Sequence, residues 1–257
     1  MRIGMYAAAA LAVCLSGTGL AAADALKDEA ISRLAASHEP DVPLAVARLA
    51  VKQAGLGALR KVLATRGRAA GLGRDWISKA PEWQLAEAKM IPMIDALIQR
   101  RIEEPSWMRE VIAATAASVL NAEEADEIAS HFGTPSGNEQ RKVVEIKVLG
   151  ELLLGTFTFS DRIDDRVPGS EAEYSRMQKV WWDREPFKAR NFDGDEAAAR
   201  FGTRNPGVKY VKTLAYRGVE GLLAHINAAC AEIVAAIEKS ASDVDPFIET
   251  YRQRTGK

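Results

Sequence analysis

Apolar residues recur at helical spacing along most of the chain. The clearest run alternates steps of four and three residues, and it consists of Val219, Leu223, Ile226, Cys230, Ile233 and Ile237. This spacing is typical of an amphipathic helix that buries one narrow face. Because Cys230 falls within the run, we expect it to be a small buried hydrophobe and not a nucleophile.

The same periodicity predicts two earlier helices and one central helix. The first carries an apolar face made by Met90, Met93, Ile94, Leu97 and Ile98. Pro92 lies inside that run, where we expect a kink or a break. A second helix is expected to begin at Pro105–Ser106, with Met108, Val111, Ile112, Thr115 and Val119 on its apolar face. Residues 143–154 are apolar on nearly every side, which is typical of a helix inside a bundle.

Prolines and glycines then interrupt the pattern repeatedly between residues 183 and 210. This composition predicts a long irregular connection. A short alternating stretch at 156–159 has no predicted partner strand and does not indicate a sheet. We therefore predict an all-α fold, a multi-helix bundle or array of roughly seven to ten helices. Residues 24–257 are expected to form a single domain, with two helical subdomains divided near 160–170 as the alternative.

The first residues have the pattern of a secretory signal peptide. Arg2 supplies a minimal positive region, residues 6–15 are apolar, and small residues follow at the spacing of a cleavage site. The prediction is a signal peptide over 1–23, cleaved after residue 23 or 25. A membrane anchor is the alternative, but the apolar core is shorter than a span requires. A lipid anchor on Cys14 is a further alternative.

Composition and charge limit the classes of function. The chain carries 34 Lys plus Arg against 35 Asp plus Glu, and loss of the leader makes the mature chain slightly more acidic. There is thus no basic excess for binding nucleic acid. The mature chain would keep Cys230 as its single cysteine, which excludes an internal disulfide and cysteine-based zinc sites. We predict no transmembrane segment in it and a periplasmic or secreted location.

The stretch Asn121–Lys142 carries several helix start and stop signals. Asn121 and Glu124 have the spacing of a capping box at a helix N-terminus. Gly133 is expected to end that helix in the left-handed conformation. Thr134–Pro135 then reads as the N-cap and first residue of the next helix.

Glu127 and His131 form the candidate polar pair of this stretch. They stand four residues apart and share one helix face. They could act as a base and its orienting partner, or as two metal ligands; alternatively, they are an exposed pair in which His131 is favoured by the helix dipole. A zinc site needs three or four ligands, and His38 and His225 are the other histidines of the chain. The sequence therefore favours the exposed pair and predicts no metal or cofactor.

Trp181 and Trp182 form a second candidate binding site, because three cations and Phe187 follow them closely. Aromatic rings beside cations can bind sugars, peptides or a partner groove. The alternative, which the spacing favours, places Trp181 in a core stripe with cations covering its rim.

Residues 107–154 resemble the family catalogued as domain of unknown function 2059. The matching positions are Glu123, Glu124, Ile128, Phe132, Pro135, Gly137 and Lys142. The resemblance implies an all-α envelope protein with a signal peptide. It implies no established activity.

These observations lead to two functional hypotheses. The first is an exported, non-enzymatic helical protein that binds a partner protein or an apolar ligand between its helices. The second is a hydrolase-like or metal-assisted enzyme that uses Glu127 and His131. The sequence favours the first, because it contains no recognisable set of acid, base and nucleophile.

Overall fold

The described residues of the computed structural model are 24–73, 76–150 and 205–256, and all of their regular structure is helical. This confirms the predicted all-α fold. In chain order the helices are α1 (24–37), α2 (Asp41–Ala69), α3 (Pro81–Arg101), α4 (Ser106–Ala117), α5 (Ala122–Phe132), α6 (Pro135–Val144), α7 (Asn205–Thr213), α8 (Val219–Lys239) and α9 (Asp245–Thr255). A π-helical segment, π1 (Glu145–Gly150), follows α6, and a second one, π2 (Leu214–Gly218), joins α7 to α8. A short 3₁₀ turn, Ala241–Val244, precedes α9.

Three long helices make the centre of the fold. Helix α8 packs most extensively against α2, and both contact α3. Gly55 of α2 lies at their junction, where a Cβ atom would come within 2.9 Å of Ile94 of α3 and 3.2 Å of Ile233 of α8. A glycine there lets the three helices approach closely. Residues from α1 through α9 share one apolar core within the described part of the chain.

The predicted helices are recovered, with differences in detail. Helix α4 begins at Ser106, as predicted. Helix α3 continues through Pro92, so of the expected kink or break the break does not occur. The buried stripe of α8 is turned relative to the predicted one: Leu222 is buried where the prediction had Leu223, and Ala229 where it had Cys230. Cys230 is thus only partly buried.

The helix signals around α5 are confirmed except at its end. The Glu124 amide donates to Asn121 Oδ1 at 2.9 Å, and the Asn121 amide donates to Glu124 Oε2 at 3.0 Å, which completes the capping box. Gly133 has φ −73° and is right-handed, so the predicted left-handed end is wrong. The chain leaves the helix one residue later, because Thr134 is extended and caps α6.

A glycine is nevertheless required in this turn, at Gly137. A Cβ atom on Gly137 would lie 1.7 Å from the carbonyl oxygen of His131, which any larger residue would displace. The α5–α6 corner is therefore tight because of backbone contact and not because of a left-handed residue.

Two longer predicted segments, 183–210 and 143–154, lie only partly within the described residues. Residues 205–210, placed in the irregular connection, belong to α7, so its predicted end is wrong. The remainder of that connection and the boundary near 160–170 lie outside the described residues. Within 143–154, the described part is the end of α6 followed by π1.

Candidate functional site

The two residues of the predicted pair on α5 differ in their surroundings. His131, in the last turn, lies with Nε2 2.8 Å from Oε1 of Gln140 on α6, so its ring donates a hydrogen bond to that amide. Glu127 is exposed one turn earlier. In the part of the chain that the structure describes, no three His, Cys, Asp or Glu side chains are grouped in a way that could hold a metal ion. Trp181 and Trp182 lie outside the described residues.

The other histidines also have partners of their own. The His225 ring stacks on Trp107 with the ring centres 4.4 Å apart and an interplanar angle of 3°. Its Nε2 lies 2.9 Å from the carbonyl oxygen of Arg101, the last residue of α3, so it donates to the end of that helix. His38 lies in a different place, inside the fold. The structure therefore does not bring His131 together with either of them.

A buried polar cluster that sequence reasoning missed lies where three parts of the chain meet. It joins the α1–α2 junction, the end of α6 with the start of π1, and α7. Its members are His38, Glu39, Asn138, Arg141, Glu145 and Tyr210. The side chains of Arg141 and Glu145 are 2% and 3% exposed, so the charges they carry are almost fully removed from water.

One carboxylate oxygen is the centre of this polar cluster. Oε1 of Glu145 accepts from Nδ1 of His38 at 2.9 Å and from the Glu39 amide at 3.0 Å. It also accepts from Nη1 of Arg141 at 2.6 Å. A buried charge is tolerated when it is paired and hydrogen-bonded in this way. The Arg141 guanidinium reaches outward as well, to Oε1 of half-exposed Glu39 at 2.6 Å and Oδ1 of Asn138 at 2.7 Å.

The Tyr210 hydroxyl completes the cluster on the other side of the His38 ring. It lies 2.6 Å from Nε2 of His38. Burial, and secondarily the negative charge of Glu145, raise the pKa of Tyr210 well above its ordinary value, so the phenol keeps its proton. Nδ1 of His38 donates to Glu145, and Nε2 is hydrogen-bonded to the phenol, so both ring nitrogens have a partner. The rings of Phe132 and His38 pack edge to face, with their centroids 5.6 Å apart and an interplanar angle of 87°.

The carboxylate, imidazole and phenol are connected as in an acid–base relay, but the atoms that could exchange a proton are all hydrogen-bonded within the protein. The His38 side chain has 0% exposure, and both of its nitrogens have a partner. A general acid or base must reach the proton of a substrate. The polar cluster therefore acts as a connection between helices, holding the α1–α2 junction against α6, π1 and α7.

A separate feature lies on the surface of α8. Between Glu220 and Glu238, which are charged and exposed on the same side, the exposed residues of this helix are uncharged, and they define the α8 outer face: Ala224, Asn227, Ala228, Ala231 and Ala235. The continuous helix Asn205–Lys239 is long and apolar enough to cross a membrane by length and composition, but only 28% of its apolar 18-residue window is buried. Helix Asp41–Ala69 is also long and apolar enough, and 56% of its apolar window is buried. Core helices of other proteins pass this test as well, so the prediction that the mature chain has no span stays a prediction.

Comparison of the chain with protein-family models, with curated proteins and with solved structures found no match.

Proposed function

We propose that this protein is an exported, non-enzymatic helical protein that binds a helix of a partner protein through the α8 outer face. The observation that carries the proposal is the low burial of an apolar helix. In Asn205–Lys239, 28% of the apolar 18-residue window is buried, whereas the corresponding share in Asp41–Ala69 is 56%. Apolar surface that the fold leaves uncovered is typical of interaction sites.

The chemistry of the face supports a helix as its occupant. Ala224, Ala228, Ala231 and Ala235 are small, and small residues let the backbones of two helices approach closely. The absence of charge along this face of α8 matches the depletion of charged residues at the centres of protein interfaces. An apolar small ligand is the alternative occupant.

Export rests on the leader pattern of residues 1–23, which lies outside the described residues. The resemblance of residues 107–154 to the domain of unknown function 2059 family agrees with an envelope location and stays a prediction.

The enzymatic alternative has less support. The His131 ring donates to Gln140, and Glu127 points from an exposed position one turn away. The better relay geometry, at His38 and Tyr210, is buried and internally paired. A His131→Ala variant is expected to bind the partner as the parent does, with a stability loss of about 1 kcal/mol from the lost hydrogen bond.

The test is native mass spectrometry of the mature chain, gently purified from the envelope fraction of the exporting cell. We expect a second protein to accompany the parent. Ala228→Arg, which places a charge in the centre of the face, should abolish this association while leaving the unfolding midpoint unchanged. Ala88→Arg is the matched control, because Ala88 is an exposed alanine in the middle of α3. The docking face would be refuted if no second protein accompanies the parent, or if Ala228→Arg and Ala88→Arg lose the associated protein equally. A small molecule released on denaturation would support the ligand alternative instead.

A further inference from the structure

The two π-helical segments both adjoin the buried polar cluster. Glu145, the acceptor for three hydrogen bonds, is the first residue of π1. Tyr210 lies in α7, one turn before π2 begins at Leu214. π1 and π2 also pack against each other. π-helical turns are rare, and they mostly occur as single insertions in α-helices, often where function requires them.

The core determines which side of π2 can move. Helix α8 buries Val219, Leu222, Ile226 and further residues of the same stripe, so its rotation would expose the centre of the fold. Helix α7 is shorter, and its deepest side chain is Tyr210, with 0% exposure. If π2 became α-helical, α7 would therefore have to turn by one residue, which is about 100° in a helix of 3.6 residues per turn. That rotation would carry the Tyr210 hydroxyl away from His38.

We propose that the polar cluster is a latch that holds π2 in its π-helical form. In the latched state the Tyr210 hydroxyl is hydrogen-bonded to His38, whose ring donates to Glu145 at the start of π1. In the open state π2 relaxes to an α-helix and α7 rotates about its own axis. The polar cluster and the two π segments thus form one two-state element. Breaking the Tyr210–His38 hydrogen bond lets π2 become α-helical and lets α7 rotate. This inference does not depend on the proposed docking face.

Amide hydrogen exchange of the full mature chain tests the latch. Tyr210→Phe removes one buried hydroxyl and leaves the ring in place. We expect exchange in π1 and π2 to rise by about tenfold or more relative to the centre of α8, as expected for the loss of one buried hydrogen bond in a local opening. Tyr251→Phe is the matched control, because Tyr251 is 3% exposed but lies in α9. It should leave exchange in both π segments unchanged.

A deletion separates the latch from general stabilisation. Removing Ala215 from π2 takes out the inserted residue, so α7 and α8 can join as a continuous α-helix with Tyr210 still facing His38. In this background Tyr210→Phe should no longer accelerate exchange at residues 214–218. The inference is overturned if Tyr210→Phe leaves the π segments unchanged, raises exchange equally throughout α8, or has the same effect after the deletion. If Tyr210→Phe does not fold, the deletion alone decides: it should fold with slower exchange than the parent at the α7–α8 junction, and faster exchange or unfolding would refute the latch.

Discussion

Replacing Arg141 with Met should destabilise the fold strongly, because it leaves a buried carboxylate without its counter-charge. The Arg141 side chain is 2% exposed and the Glu145 side chain 3% exposed. After the substitution Glu145 would keep two of its three donors, Nδ1 of His38 and the Glu39 amide. Breaking one side of a buried ion pair costs about 3–5 kcal/mol. At about 2–4 °C per kcal/mol for a chain of this size, the unfolding midpoint should fall by roughly 6–20 °C.

Urea unfolding followed by circular dichroism measures this loss, and a double-mutant cycle assigns its cause. Adding Glu145→Gln to Arg141→Met removes the stranded charge, so the double variant should regain part of the lost free energy. Arg33→Met is the control, because Arg33 and Asp126 form an ion pair with side chains 55% and 48% exposed. Its expected cost is about 0–1 kcal/mol. A loss below about 1 kcal/mol in Arg141→Met, or no recovery in the double variant, would refute this account of the cluster.

Two further predictions concern sterics and acid stability. Gly57→Ala and Gly67→Ala lie in the same helix, but a Cβ atom meets nothing within 4 Å at Gly57 and lies 2.2 Å from the Trp76 ring at Gly67. In thermal unfolding, Gly57→Ala should raise the free energy of unfolding by about 0.5–1 kcal/mol, and Gly67→Ala should lower it by about 1–3 kcal/mol. A change of the same sign in both variants would contradict the packing at Trp76. The hydrogen bonds from Arg254 lower the pKa of Glu82 from its ordinary 4.5, so this carboxylate stabilises the fold at neutral pH and loses that effect as the pH falls below 4.5. The difference in unfolding free energy between the parent and Glu82→Gln should therefore shrink on acidification from pH 6 to pH 3, and a constant difference would show that the ion pair does not contribute.

Part of the polar cluster was accessible from sequence and part was not. Arg141 and Glu145 stand four residues apart, so their pairing on one helix face could have been predicted. Their burial could not, because such pairs usually lie on exposed surfaces. His38 and Tyr210 are 172 positions apart, and no local pattern relates them. The pair that sequence reasoning did select, Glu127 and His131, had a clear local pattern, but in the fold His131 is hydrogen-bonded to Gln140 of α6.

Local interactions made several features predictable from the sequence alone. The capping box at Asn121 and Glu124 depends on atoms within one helical turn, and it is present as predicted. The start of α6 at Thr134–Pro135 has the same short-range origin. The helical spacing of apolar residues likewise determined the all-α class, because it requires only that each helix bury one side.

Tertiary structure decided what each helix buries and where its register changes. In α8, Leu222 and Leu223 are equally apolar, but the tertiary packing buries Leu222 completely and leaves Leu223 partly buried. The continuation of α3 through Pro92 and the π-helical segment that begins at Glu145 likewise have no local signal in the sequence. Burial and long-range hydrogen bonds arise from residues that are distant in the chain. Their energies depend on the whole arrangement, so the sequence determined the helices and the fold determined the polar cluster.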